Sequence, residues 1–175
     1  MNYFEFYGLP ISFRLDESAL RRTYLERSRQ YHPDFHTLAD EAEQARVLDL
    51  STLNNEAFKT LSDPDKRMQY VLKIRGLIEE GESQQALSQD FLMEMMDINE
   101  SMMELEFDFD AERLKRTRHA VEALDQSLLQ DIQSILDSWT AESGVEADLL
   151  RVRDYFFKKR YLLRIFENLS KFAAA

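Results

Sequence analysis

The chain has 175 residues, 44% of them hydrophobic, enough for one sizeable core or two small ones and too many for wholesale disorder. With only four glycines and three prolines among plentiful Leu, Glu, Asp, Arg, Ala, Gln and Met, the composition points to long helices and an all-α fold. The absence of cysteine excludes disulfides, thiolate metal sites and thiol nucleophiles, and a formal net charge of −11 opposes nucleic-acid binding, which needs a cationic surface to displace counterions.

The opening ten residues, MNYFEFYGLP, lack the basic and uninterrupted apolar regions of a secretion signal, and no run of about 18 apolar residues follows. A cytoplasmic protein without membrane contact is expected. Tyr3, Phe4, Phe6 and Tyr7 cluster before Gly8-Leu9-Pro10, which predicts a short helical turn stopped by glycine and proline. Asp16 can cap a helix running to Tyr31, with Leu20, Tyr24, Ser28 and Tyr31 on one face and Arg21, Arg22, Arg27 and Arg29 on another. Pro33 ends that helix, because it has no amide proton and disfavours helical geometry at His32.

A second long helix is predicted over about 39–61, with Leu50, Leu53, Ala57 and Leu61 as its apolar stripe, antiparallel to the first. Ser62-Asp63-Pro64 closes it and starts another that runs to about Arg75. Gly76 and the acidic stretch 79–83 mark a boundary, so the expected organisation is a first domain over 1–76, a linker over 77–88 and a second domain over 89–175. The second domain reads as three helices, about 89–106, 111–139 and 147–172, joined by short connections into an antiparallel bundle. In the middle one, Leu114, Val121, Leu124, Leu128, Ile132, Ile135 and Trp139 keep the helical rhythm, and Asp108 and Asp110 are candidate caps.

Charge divides the same way. Residues 1–76 carry eleven Lys/Arg against twelve Asp/Glu, whereas 79–112 holds twelve acidic residues and no Lys or Arg, and 151–171 holds seven basic residues against two acidic. Such opposite segments are expected to lie side by side. The first helix of the bundle carries two apolar stripes: Phe91, Met95, Ile98, Met102 and Leu105 on one, and Leu92, Met96 and Met103 on the other, with Met93 and Glu100 at its margin. Two stripes exceed what one packed face needs, so one suits the bundle and the other a partner, for which flexible, polarizable methionine is well adapted.

His32-Pro33-Asp34 has several chemical readings. An imidazole and a carboxylate two residues apart could act as an acid/base pair, His32 and His36 could ligate a metal, or both groups could serve local turn chemistry. Pro33 breaks the helix that would align the two histidines, and there is neither a third ligand nearby nor a recognisable nucleophile or phosphate loop.

The neighbouring residues narrow this. An arginine-bearing helix ending in Arg29-Gln30-Tyr31-His32-Pro33-Asp34, a long helix carrying Asn54-Asn55-Glu56-Ala57-Phe58-Lys59-Thr60-Leu61-Ser62-Asp63-Pro64, and then Lys66-Arg67-Met68-Gln69-Tyr70 together resemble a J-domain. Tyr70 is followed by Val71-Leu72-Lys73 where general J-proteins have Tyr-Asp, and no glycine/phenylalanine-rich segment or cysteine repeat follows. Over essentially its whole length the chain looks like the HscB family, the J-type co-chaperones of iron–sulfur cluster assembly.

The resemblance implies a two-ended adaptor with no cofactor and no enzymatic activity of its own. His32, Pro33 and Asp34, supported by Arg21, Arg22, Arg27 and Arg29, would engage a DnaK-class, HscA-like chaperone and stimulate its ATPase. Leu92, Met93, Met96, Asp97, Glu100 and Glu104 would hold an iron–sulfur scaffold protein of the IscU type, with Phe157, or Phe156 in a shifted alignment, as their neighbour on the last helix. The alternative is a J-domain co-chaperone that serves a different client.

Overall fold

The computed structural model describes residues 1–79 and 87–173; most of the expected acidic linker, 80–86, lies outside the described residues. Seven α-helices account for the fold: α1 (Tyr3–Tyr7), α2 (Glu17–Gln30), α3 (Glu41–Leu61), α4 (Pro64–Ile74), α5 (Gln89–Phe107), α6 (Ala111–Ser138) and α7 (Glu146–Ala173). Among the described residues there is no strand, only an isolated bridge between Ser12 and Thr140, and the chain is all-α. No helix among them is long and apolar enough to cross a membrane.

The helix ends follow from side-chain capping. Asn2, Asp16, Asp40, Asp63 and Ser88 each accept a backbone N–H from the first turn of the helix they precede, satisfying donors that have no intrahelical partner. Gly8 closes α1 with φ of 67°, in the left-handed region that costs glycine nothing. At the turn from α5 to α6, Asp110 accepts the Glu112 N–H at 3.0 Å, while Asp108 closes α5 through its N–H to the Glu104 carbonyl.

The chain folds into two compact units, one comprising Met1–Gly76 with Leu136–Gly144 and the other Leu77–Ile135 with Val145–Ala175. The first unit thus takes in the connection between α6 and α7, which the sequence pattern placed with the bundle. The reason is Trp139: buried as its aromatic bulk predicts, it packs against Phe13 with ring centroids 5.3 Å apart, and the Arg75 guanidinium lies over its ring. Gly144 allows this packing, since a Cβ there would fall 2.0 Å from the indole nitrogen.

Within the first unit α2 and α3 form an antiparallel hairpin. Its apolar stripe on α3 differs from the expected one: Val47, Ala57 and Leu61 are buried, Leu50 and Leu53 only partly so, and the central buried position belongs to Asn54. Asn54 is tolerated there because its amide is bonded on both sides. Its Oδ1 accepts the Tyr7 hydroxyl at 2.7 Å, and its Nδ2 donates to Ser28 Oγ at 3.0 Å and to the Tyr24 carbonyl at 3.2 Å. Burial pushes the Tyr7 phenol well above its ordinary pKa, so it remains a donor throughout the neutral range. Stacking of Tyr24 on Phe58, 4.1 Å between centroids, closes the hairpin.

Arg67 on α4 is a second buried polar tie. Its guanidinium donates to the carbonyls of Phe13 and Leu61, and burial pulls its pKa below the usual arginine value. In the second unit the main core cluster is apolar: Phe91, Met95, Ile98, Met102 and Leu105 of α5 pack with Val121 of α6 and Leu162, Ile165 and Leu169 of α7. Each such side chain contributes about 1.5–3 kcal/mol relative to exposure.

Candidate functional site

The segment between α2 and α3 is a single turn of 3-10 helix, Pro33–Phe35, which the proline break alone did not predict. His32 is its cap: Nδ1 accepts the Asp34 N–H at 3.3 Å, which in the neutral ring leaves the proton on Nε2. The Asp34 carboxylate lies 3.7 Å from the same ring nitrogen and stays 84% exposed, with the His32 side chain half exposed. His36 is turned toward α2, its Nε2–H donating to the Gln30 carbonyl at 2.9 Å. That bond also ties the far end of the turn back to α2. The result is an imidazole held by the turn's main chain with a carboxylate beside it, both open to solvent.

The loop borders a groove of about 500 Å³ lined by Pro33, Asp34, Thr37, Gln44 and Leu48. Phe35 at 74% and Leu38 at 101% exposure leave apolar surface around it. On α2, Arg21, Arg22 and Arg29 are exposed. Arg27 is not part of that free face. Its guanidinium sits 4.3 Å from the centre of the Phe6 ring and 5.4 Å from that of Tyr7, so it packs α2 onto α1.

In the second unit α5 separates its two stripes. Phe91, Met95, Ile98, Met102 and Leu105 are buried, whereas Leu92 is 41%, Met93 66%, Met96 65% and Met103 70% exposed. Asp97 is exposed and Glu100 lies beside Met96 one turn on, also exposed. Glu104 forms an ion pair with Arg113 of α6 across the turn.

The acidic α5 and the basic α7 pack side by side, as the charge pattern suggested, but Lys158 and Lys159 find their carboxylates elsewhere. Lys159 of α7 pairs with Asp125 of α6 at 2.5 Å and Lys158 with Asp154 one turn away on its own helix. The Lys158 ammonium also lies over the Phe91 ring. Among the described residues Asp90, Glu94, Asp97 and Glu100 form no ion pair.

Phe157 must be corrected as a surface contact. It is 5% exposed, set edge-on against Phe156 and covered by the Arg153 guanidinium, so its ring is not open to a partner. Phe156 is half-buried under Arg160. Tyr161 of α7 contacts α5 directly: its ring meets Phe91 edge to face at 5.6 Å, and its hydroxyl accepts from Asn99 Nδ2 at 2.8 Å. Tyr161 is one helical turn beyond Phe157, a step that sequence periodicity alone does not resolve.

A hairpin carrying a capped, solvent-open His-Pro-Asp turn, preceded by an arginine-rich helix, defines a J-domain, and residues 2–70 match the DnaJ domain family. Residues 87–170 match the HSCB C-terminal oligomerisation domain. The chain is 34% identical over 173 residues to the co-chaperone protein HscB homolog of Aeromonas hydrophila, covering 98% of this chain and 96% of that protein. It is 31% identical to the co-chaperone protein HscB of Proteus mirabilis, covering 97% and 94%. Among solved structures, the chaperone HscB from Vibrio cholerae superposes with a TM-score of 0.65 at 26% identity, covering 98% of this chain and 96% of that one. The human co-chaperone protein HscB superposes with a TM-score of 0.70 at 29% identity, covering 97% and 81%. The chain belongs to the HscB family of J-domain co-chaperones.

Proposed function

We propose that this co-chaperone binds an iron–sulfur scaffold protein of the IscU type on the outer face of α5 and delivers it to a DnaK-class, HscA-like chaperone. Its His32-Pro33-Asp34 turn would stimulate that chaperone's ATPase and so promote cluster transfer. We assign both contacts to the cytoplasm.

The observation that carries this reading is the division of α5: one stripe fills the core, while Leu92, Met93 and Met96 stay exposed beside unpaired Asp97 and Glu100. Exposed methionines adapt to a partner surface, and the carboxylates select a basic one. Tyr161 replaces Phe157 at the margin of this site. At the other end, Arg21, Arg22 and Arg29 suit an acidic docking surface, and the turn offers two polar groups side by side. The chaperone supplies all the chemistry on ATP; the co-chaperone acts by favouring one of its partner's conformations.

Two variants measured in both assays test this. Asp34→Asn is expected to abolish stimulation of the chaperone's ATPase and to bind the scaffold as the parent does. Leu92→Ala combined with Met96→Ala is expected to weaken scaffold binding about 10- to 100-fold. Parent-like scaffold affinity in the double variant would sink the α5 site, and undiminished ATPase stimulation by Asp34→Asn would sink the role of the turn.

A further inference from the structure

The exposed stripe of α5 does not end with the residues assigned above. Taking 100° per residue, Leu92, Met96, Glu100, Met103 and Phe107 fall within one narrow arc of the helix. Met103 is 70% and Phe107 96% exposed. The core stripe of Phe91, Met95, Ile98, Met102 and Leu105 occupies the opposite side, so this arc has no role in holding the bundle together. An exposed phenylalanine at the last turn of a helix, in line with exposed methionine and leucine, is apolar surface that a monomer gains nothing by showing.

Length and charge indicate what covers it. From Leu92 to Phe107 the arc runs about 22 Å, whereas the residues proposed above, Leu92 to Glu100, cover about 12 Å. A stable protein interface takes about 800 Å² from each side, and the exposed side chains of Met103 and Phe107 add apolar surface toward that size. Glu100 lies at the edge of the arc and Asp97 flanks it, both without ion-pair partners among the described residues. A second copy of this chain docking face to face would set these carboxylates against themselves, since a two-fold interface uses the same patch on both sides. A partner with an apolar centre and a lysine- or arginine-rich rim would instead satisfy both features.

We infer that the scaffold-binding surface continues along α5 through Met103 to Phe107 and that its occupant is a basic-rimmed apolar face of the scaffold protein; this rests on the reading of α5 proposed above. Phe107 acts as the anchor at the C-terminal end of the surface, with Leu92 at the other.

The test is titration of the full chain with purified, cluster-free scaffold protein. Met103→Ala combined with Phe107→Ala should weaken binding about tenfold or more, while Phe107→Leu, which keeps apolar bulk, should stay within about threefold of the parent. Circular dichroism should show parent-like helicity for both variants, as neither side chain is part of the core. Parent-like affinity in the Met103/Phe107 double variant, with binding lost in the Leu92/Met96 pair, would overturn the extension and leave the α5 site standing. Parent-like affinity in both pairs would overturn the underlying reading and the extension with it. Affinity that does not fall as salt is raised would remove the basic rim, and self-association of the parent that disappears in the Met103/Phe107 variant would make a second copy the occupant instead.

Discussion

The His32-Pro33-Asp34 turn and the outer face of α5 derive their order from different sources. In the turn, a few polar side chains are held by bonds to their own neighbours: His32 to the Asp34 N–H, His36 to the Gln30 carbonyl. On α5, a regular helix fixes every position at once, and the buried stripe on one side sets the rotation of the exposed stripe on the other. A turn of this kind concentrates its effect in one or two groups, whereas a helix face spreads it over several turns. Substitutions should therefore act all-or-none in the turn and by degrees on α5.

The largest expected effect is at Asp34. It is the exposed charge of the turn, and losing one member of a charged contact with the chaperone costs about 2–5 kcal/mol, so Asp34→Asn should reduce ATPase stimulation by about 30-fold or more. Single substitutions along α5, Met93→Ala or Met96→Ala, should each weaken scaffold binding only several-fold, the larger loss appearing when they are combined. A single α5 substitution that alone abolished binding would break the contrast.

Next comes the support of each unit. Asn54→Ala removes a buried amide that bonds the Tyr7 hydroxyl, Ser28 Oγ and the Tyr24 carbonyl, leaving Tyr7 only the main-chain carbonyl of residue 54, which should destabilise the first unit by about 2–3 kcal/mol in thermal or denaturant unfolding. Met95→Leu in the apolar core cluster of the second unit should cost less than about 1.5 kcal/mol. If Asn54→Ala proved the milder change, the polar network would not be what fixes the hairpin.

Much of this was legible in the sequence, and the misses have specific causes. Asp16, Asp63 and Pro33 gave helix boundaries because capping and proline act locally. The two stripes of α5 were visible because both are apolar and each keeps a spacing of three and four. Asn54 was missed as a core residue because an apolar-stripe reading skips polar positions, even when Ser28 and Tyr7 wait across the hairpin to bond it. Tyr161 was missed because a list of aromatics on α7 does not say which turn faces α5. The α7 lysines were sent to the wrong carboxylates because segment charge carries no information about distance, and Asp125 and Asp154 are nearer than any acid of α5. Arg27 was grouped with its fellow arginines although its position places it over Phe6.

The smallest effect compares the caps that start α4 and α5. Asp63 accepts the N–H groups of Asp65 at 2.9 Å and Lys66 at 3.1 Å, whereas Ser88 accepts one, from Phe91, at 3.3 Å. Replacing either with alanine should cost about 1 kcal/mol, less for Ser88. Only Asp63 titrates. The backbone N–H of Lys66 foremost, with that of Asp65 and the Lys66 ammonium, holds its carboxyl below the usual aspartate value, so the folded state favours the ionised form. Its contribution is fully present above the unfolded-state pKa and is lost as pH falls through the depressed folded-state value. The stability difference between parent and Asp63→Ala should accordingly shrink below about pH 4, while that between parent and Ser88→Ala stays flat. Amide exchange in α4 and α5 measured from neutral to acid pH checks this directly, and a pH-independent difference at Asp63 would mean that the uncharged side chain caps α4 as well as the carboxylate does.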